Sequence, residues 1–244
     1  MPSARKTKQV LALLLLNANH LVSVPTFIEE LWDDKPPASA MTTLQTYVFQ
    51  LRRMIAEAVP GVGPKEILAT TLNGYVLHVP PDCLDLNRYE QARTLGLRQY
   101  AAGRLHEAAH SLRTALGTWS GPALADVKTG RRLDSEVVRL HESRLTAYET
   151  CLDAELATGA HATLISELTG LTSQHPMHEP FHRQLMLALY RASRRPDALS
   201  AFQRLRTTLV NELGLEPSRE VQMLHQSILS ADPALDHDQV LVPR

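Results

Sequence analysis

The chain has 244 residues, enough for one large domain or two modest ones. Its 44% hydrophobic and 21% charged content is globular and argues against disorder, and the low aromatic share (5%) beside abundant Leu and Ala points to a mostly helical fold. A formal net charge of −1 gives no global basic footprint for nucleic acid. The only cysteines, Cys83 and Cys151, lie far apart without a CxxC, which indicates a reducing compartment and no zinc site. The LALLLL run at 11–16 is too short to span a membrane, and no small-residue cleavage site follows it as a signal peptide would require. The expectation is a cytoplasmic protein with no membrane partner.

In chain order, Arg5-Lys6-Thr7-Lys8 leads into QVLALLLLNANH, a helix with an apolar centre that ends near Asn17 to Asn19. Ser23 is placed to cap a second short helix, VPTFIEELW, with Pro25 in its first turn. Pro36 and Pro37 then force a loop. Ser39 or Thr42 opens a third helix, in which Leu44, Tyr47, Val48, Leu51 and Ile55 form one apolar stripe. The other face carries Thr42, Thr46, Phe49 and Arg53, flanked by Gln45, Gln50 and Arg52. Hydroxyls, amides and guanidinium groups on one exposed face suit base edges and phosphates in a major groove.

Three helices with a tight loop between the second and third follow helix-turn-helix order. The loop PGVGPK comes next, and then EILATTL and YVLHV flank Asn73-Gly74, a strong type I′ hairpin signal. Such a hairpin is a wing, with Thr70, Thr71, Asn73 and Tyr75 expected at its tip and Gly74 supplying a positive φ. Acids and bases balance within residues 1–82, but four acids gather in and after the second helix. That distribution leaves Arg52 and Arg53 free to face phosphate.

The segments KQVLALLLLNAN, SVPTFIEELW, PPASAMTTLQTYVFQLRR and LNGYVLHVP resemble the OmpR-like winged-helix domain of the Streptomyces antibiotic regulatory protein family. The resemblance implies that residues 42–53, Thr43 among them, enter the major groove and that the hairpin leans on the minor groove. Members of the family begin this domain with a short antiparallel sheet. Here the chain starts almost at the first helix, so the sheet is expected to be missing or encoded upstream of the start.

Pro80-Pro81-Asp82 marks a boundary, and helix pairs follow it. GRLHEAAHSLRTAL, GAHATLISELTGL and RRPDALSAFQRLRTTL share a pattern, the last two starting about 35 residues apart, near the tetratricopeptide period. A long helix is expected from about Leu133 to Thr158. WSGPALADV, HPMHEPFHRQLMLALYRASRRPDALSAFQRLR and ELGLEPSREVQMLHQSIL resemble the bacterial transcriptional activator domain of the same family. The expected fold is thus mainly α. A winged helix-turn-helix DNA-binding domain spans 1–81, a tetratricopeptide-like activator domain spans 82–231, and a flexible tail covers 232–244.

Other chemistries have weaker support. His178 and His182 share a helix face, but no glutamate completes an HExxH site, so a surface or packing role is expected. Gly61-Val-Gly-Pro-Lys65 lacks P-loop spacing and is read as the loop before the wing, followed directly by a strand. Neither enzyme activity nor a cofactor is expected. The resemblance implies an activator of secondary-metabolite (antibiotic) genes. It would bind double-stranded DNA at direct repeats near the −35 promoter region, self-associate there, and recruit RNA polymerase holoenzyme. The rival reading is a helical-repeat interaction scaffold whose winged helix is vestigial.

Overall fold

A computed structural model describes residues 5–235. The described residues form two compact units, one of residues 5–91 with 117–145, the other of residues 92–116 with 146–235.

In the first unit, α1 (Arg5–Leu16) buries Val10, Leu13 and Leu14, the middle of the apolar run. Helix α2 (Val24–Trp32) starts at Ser23, whose hydroxyl accepts from the Thr26 N–H at 3.3 Å, and has Pro25 in its first turn as expected. Asp33 ends it with a positive φ, its N–H donating to the Glu29 carbonyl at 2.8 Å. After the prolines, α3 (Ala40–Ala58) opens at Ser39, which makes no side-chain cap. Its apolar stripe behaves as read: Leu44, Val48 and Leu51 are buried, while Tyr47 and Ile55 pack at the edge of the same core.

The wing departs from the sequence reading in three ways. The segment after Gly63 is not directly a strand: a one-turn helix α4 (Pro64–Ile67), begun by its proline, precedes β2 (Leu68–Thr70). Strand β3 (Gly74–Leu77) pairs antiparallel with β2, Thr70 opposite Tyr75, so the turn centres on Leu72-Asn73 and not on Asn73-Gly74. A third strand, β1 (Val22–Ser23), joins β3 on its other side, giving the order β1-β3-β2.

This added strand explains the glycine. Gly74 lies opposite Ser23 without a positive φ, and a Cβ there would collide with the Val22 carbonyl. Close backbone approach, not turn geometry, demands glycine at this position.

The core of this unit draws on more than the first eighty residues. Leu133, from the first turn of α7 (Arg131–Ala157), is fully buried with Leu14, Phe27 and Leu31 in one cluster, and Leu124 and Val127 pack against it. Glu30 of α2 is the reason the segment stays in place. Its carboxylate is 3% exposed and accepts from the backbone N–H groups of Gly130 (2.6 Å), Arg132 (3.0 Å) and Leu133 (3.1 Å). Those donors are the otherwise unpaired N–H groups at the start of α7, so Glu30 caps that helix from a distance. Arg132–Glu29 (2.9 Å) and Arg131–Asp33 (2.8 Å) flank the cap.

The second unit is all-helical among the described residues. It holds the end of α5 (Asp85–Ala101), α6 (Leu105–Leu116), the rest of α7, α8 (His161–Gln174), α9 (Glu179–Arg191), α10 (Arg195–Leu213) and α11 (Arg219–Ser230). Helix α9 packs against α8, α10 and α11, the stacked helical-repeat pattern expected from the sequence. Gly96 admits Leu112 of α6 at close range, and Leu112, Leu116, Ala147 and Cys151 form a shared core. Arg113 of α6 grips both Glu155 of α7 and Glu167 of α8 at 2.6 to 2.8 Å, and these bonds push its pKa upward. Asp232 opens the stretch read as a tail, yet Leu235 is buried and its carbonyl accepts from Arg191 Nε at 2.9 Å. Residues 236–244 lie outside the described residues.

Candidate nucleic-acid interface

Helix α3 presents a polar face because its apolar residues occupy one stripe and the core takes that stripe. Thr42, Gln45, Thr46, Gln50 and Arg53 are exposed, Thr43 is half-buried at the edge, and Phe49 stands 67% exposed in the middle. The Thr46 hydroxyl donates to the Thr42 carbonyl at 3.0 Å, within the helix. Its lone pairs remain open to a ligand.

The two arginines differ, and neither is free as the charge pattern suggested. Arg53 extends into solvent beside Glu57, 3.4 Å away, an exposed pair worth little and easily exchanged for another anion. Arg52 is turned to the wing. Its Nε and Nη2 donate to the Leu68 carbonyl at 3.0 and 2.7 Å, and Nη2 also donates to the Thr70 hydroxyl at 2.7 Å. Between helix and wing lies a groove of about 470 Å³ lined by Gln45, Phe49, Arg52, Arg53, Lys65 and Thr70, among others.

At the wing, Thr70, Thr71 and Asn73 are exposed at the tip as expected. Gly74 and Tyr75 are not. Gly74 is a buried strand residue, and the Tyr75 ring is buried edge-on against Phe27, with centroids 5.9 Å apart. The register explains both: moving the turn back one residue sends Tyr75 to the core face. The same shift puts Leu72, unmarked in the sequence reading, at the apex with 99% exposure. An Asn-Gly pair masks that outcome, because its turn preference names the wrong centre.

The histidines do not converge. His178 precedes α9 at its N-cap, so it does not share a helix face with His182 as expected; its Nε2 lies 2.7 Å from Glu149 of α7, and His182 is buried. Among the described residues no group of three His, Cys, Asp or Glu side chains could hold a metal ion. No helix among them is long and apolar enough to cross a membrane.

A winged helix with an exposed recognition-type face, followed by stacked helix pairs, defines a class of two-part transcription regulators. Residues 2–77 match the family model described as "Transcriptional regulatory protein, C terminal", and residues 84–229 match "Bacterial transcriptional activator domain". Regulatory protein DnrI of Streptomyces peucetius is 47% identical over 245 residues, covering 99% of this chain and 90% of that protein. Transcriptional regulator RedD of Streptomyces coelicolor is 34% identical, with 95% of this chain and 66% of its own length covered. The solved structure of Mycobacterium tuberculosis EmbR in complex with a low affinity phosphopeptide is similar with a TM-score of 0.88 at 34% identity. That match covers 97% of this chain and 63% of the EmbR chain. The chain belongs to the Streptomyces antibiotic regulatory protein family of transcriptional regulators.

Proposed function

We propose that this regulator is a sequence-specific activator that binds double-stranded DNA as copies on direct repeats near the −35 promoter region and recruits RNA polymerase. The genes controlled are those of a secondary-metabolite pathway. The observation that supports this reading is the exposed α3 face, where Thr42, Gln45, Thr46, Phe49 and Arg53 stand clear of the core. Thr43 and Gln50 flank them, and Arg52 sets the wing beside them.

In this reading residues 1–81 supply the DNA-reading elements and residues 82–231 carry the protein contacts. One winged helix reads only a few base pairs, too few to single out a promoter among about 10⁶ or more competing sites. Two copies on neighbouring repeats multiply the specificity, and direct repeats require them to bind head to tail.

Gel shifts and footprinting on upstream DNA test this. Two repeats one helical turn apart fill cooperatively, and inserting half a turn (about 5 base pairs) abolishes the cooperativity. Equal binding to both spacings removes the direct-repeat role, and absence of any DNA binding favours an interaction scaffold.

A further inference from the structure

The recognition-type helix has two flanks. At 100° per residue, Gln50 and Arg52 point about 200° apart around α3. Arg52 ties its flank to the wing. Gln50 ties the other flank to the start of α1, where the Thr7 hydroxyl donates to Gln50 Oε1 at 2.9 Å. A helix lying in a major groove has a sugar-phosphate strand on each side. The wing is placed to meet one of them, and the N-terminal end of α1 borders the other.

That end is unusually basic. Arg5, Lys6 and Lys128 line one shallow concavity of about 340 Å³ beside Trp32. The Lys6 ammonium stacks over the Trp32 ring, 4.4 Å from its centroid. Its pKa is lowered by desolvation and by the Lys128 charge. None of the three cations has a carboxylate partner among the described residues. The acids that share the concavity are already engaged: Glu30 by the three N–H groups at the start of α7, and Asp33 by Arg131. The first turn of α1 contains no acid, so its N-terminal dipole adds to the positive field. Like charges held together without a counter-ion are stabilised by an anion, and backbone phosphate is the anion such a flank would meet.

We propose that Arg5, Lys6 and Lys128 form a second phosphate-binding patch, which grips the DNA strand opposite the wing. The patch rests on the DNA-binding reading above. It brings in Lys128, from the loop before α7, and so extends the DNA contact surface beyond the winged helix. It also resolves the puzzle of a DNA-binding chain with net charge −1: a local cluster replaces a global excess.

The test uses the full chain carrying Arg5→Ala, Lys6→Gln and Lys128→Gln together, with Lys128→Gln alone as a variant that leaves the Trp32 stack intact. Binding to a footprinted site is measured across salt concentrations. The triple variant is expected to lose about 2.7 from the slope of log K against log salt, about 0.9 per phosphate, and the single variant about 0.9. On a duplex trimmed so that the strand beside α1 ends short of the patch, wild type and both variants are expected to bind alike. An unchanged slope in the folded variants, beside a lowered slope for Arg53→Ala, overturns the patch and leaves the DNA-binding reading standing. A wild-type chain with no affinity for DNA overturns both.

Discussion

Arg52 and Arg53 are sequence neighbours on α3 whose guanidinium groups end in different surroundings. Arg52 spends three hydrogen bonds on Leu68 and Thr70, while Arg53 keeps one loose exposed pair with Glu57. Arg53→Ala is therefore expected to lower the salt slope of DNA binding by about one without changing stability. Arg52→Ala is expected to cost roughly 1–3 kcal/mol in urea unfolding, to weaken DNA binding through a displaced wing, and to leave the salt slope intact. Arg52→Lys does not restore the fork, because a single ammonium cannot reproduce its geometry. A full unit of salt slope lost on Arg52→Ala would make that side chain a phosphate ligand and not a strut. In the helical unit, His182 carries a separate expectation. Burial pulls its imidazole down to about 4 from 6.5, while the Pro176 backbone pulls the other way. The unfolded chain then binds the proton more tightly, so stability is fully present above about pH 6.5 and is lost as pH falls towards 4. His225, lowered by the same cause, adds in the same direction. Urea unfolding at pH 5 is expected to show roughly 2 kcal/mol less stability from His182 than at pH 7.5, and His182→Leu is expected to flatten that dependence. An unaltered pH profile in His182→Leu would assign the acid sensitivity elsewhere.

At the scale of elements, the start of α7 depends on a residue a hundred positions earlier. Glu30→Ala strips the acceptor from three backbone N–H groups, one of them on the buried residue Leu133. The expected cost is about 3 kcal/mol, with amide exchange accelerated at residues 130–133; Glu30→Gln, which keeps one acceptor oxygen, falls between. Protection at those amides that survives Glu30→Ala would mean water replaces the carboxylate there. The same cap shows what a sequence reading reaches and what it misses. The apolar stripes of α1, α3 and the later helices repeat at helical spacing, so their existence and buried faces are legible, and Ser23 ahead of Pro25 announces its own cap. Strand β1 is only two residues long, and no periodicity reveals it. It pairs with β3, whose register with β2 lies one residue from the Asn-Gly reading, so Tyr75 is core and Leu72 is the apex. The hydrogen bonds of Arg52 to the wing are not legible either, because its acceptor lies on a strand 16 residues away and is chosen by tertiary geometry. Glu30 reads as an ordinary surface acid on a helix for the same reason.

For the whole molecule, the consequence concerns where the winged helix can be cut out. The boundary at Pro80-Pro81-Asp82 is a break in sequence pattern, and the two family models meet near it. The first compact unit nevertheless includes residues 117–145. A fragment of residues 1–82 keeps α1 to β3 but loses Leu133, Leu124 and Val127 from the core and uncovers the Glu30 carboxylate. Removing a fully buried leucine alone costs roughly 2–5 kcal/mol, a large part of the stability of a domain this small. Losing Lys128 also takes one cation from the basic patch beside Trp32. The fragment is therefore expected to unfold at markedly lower urea than the first unit within the full chain and to bind DNA more weakly with a shallower salt slope. Glu30→Gln is expected to lower the stability of the full chain but to leave that of the fragment nearly unchanged, because the uncovered carboxylate has lost its three N–H donors and is hydrated instead. The urea midpoints of the fragment, the Glu30→Gln fragment and the full chain decide the matter. A fragment as stable as the intact unit would show that residues 117–145 rest on the winged helix without supporting it.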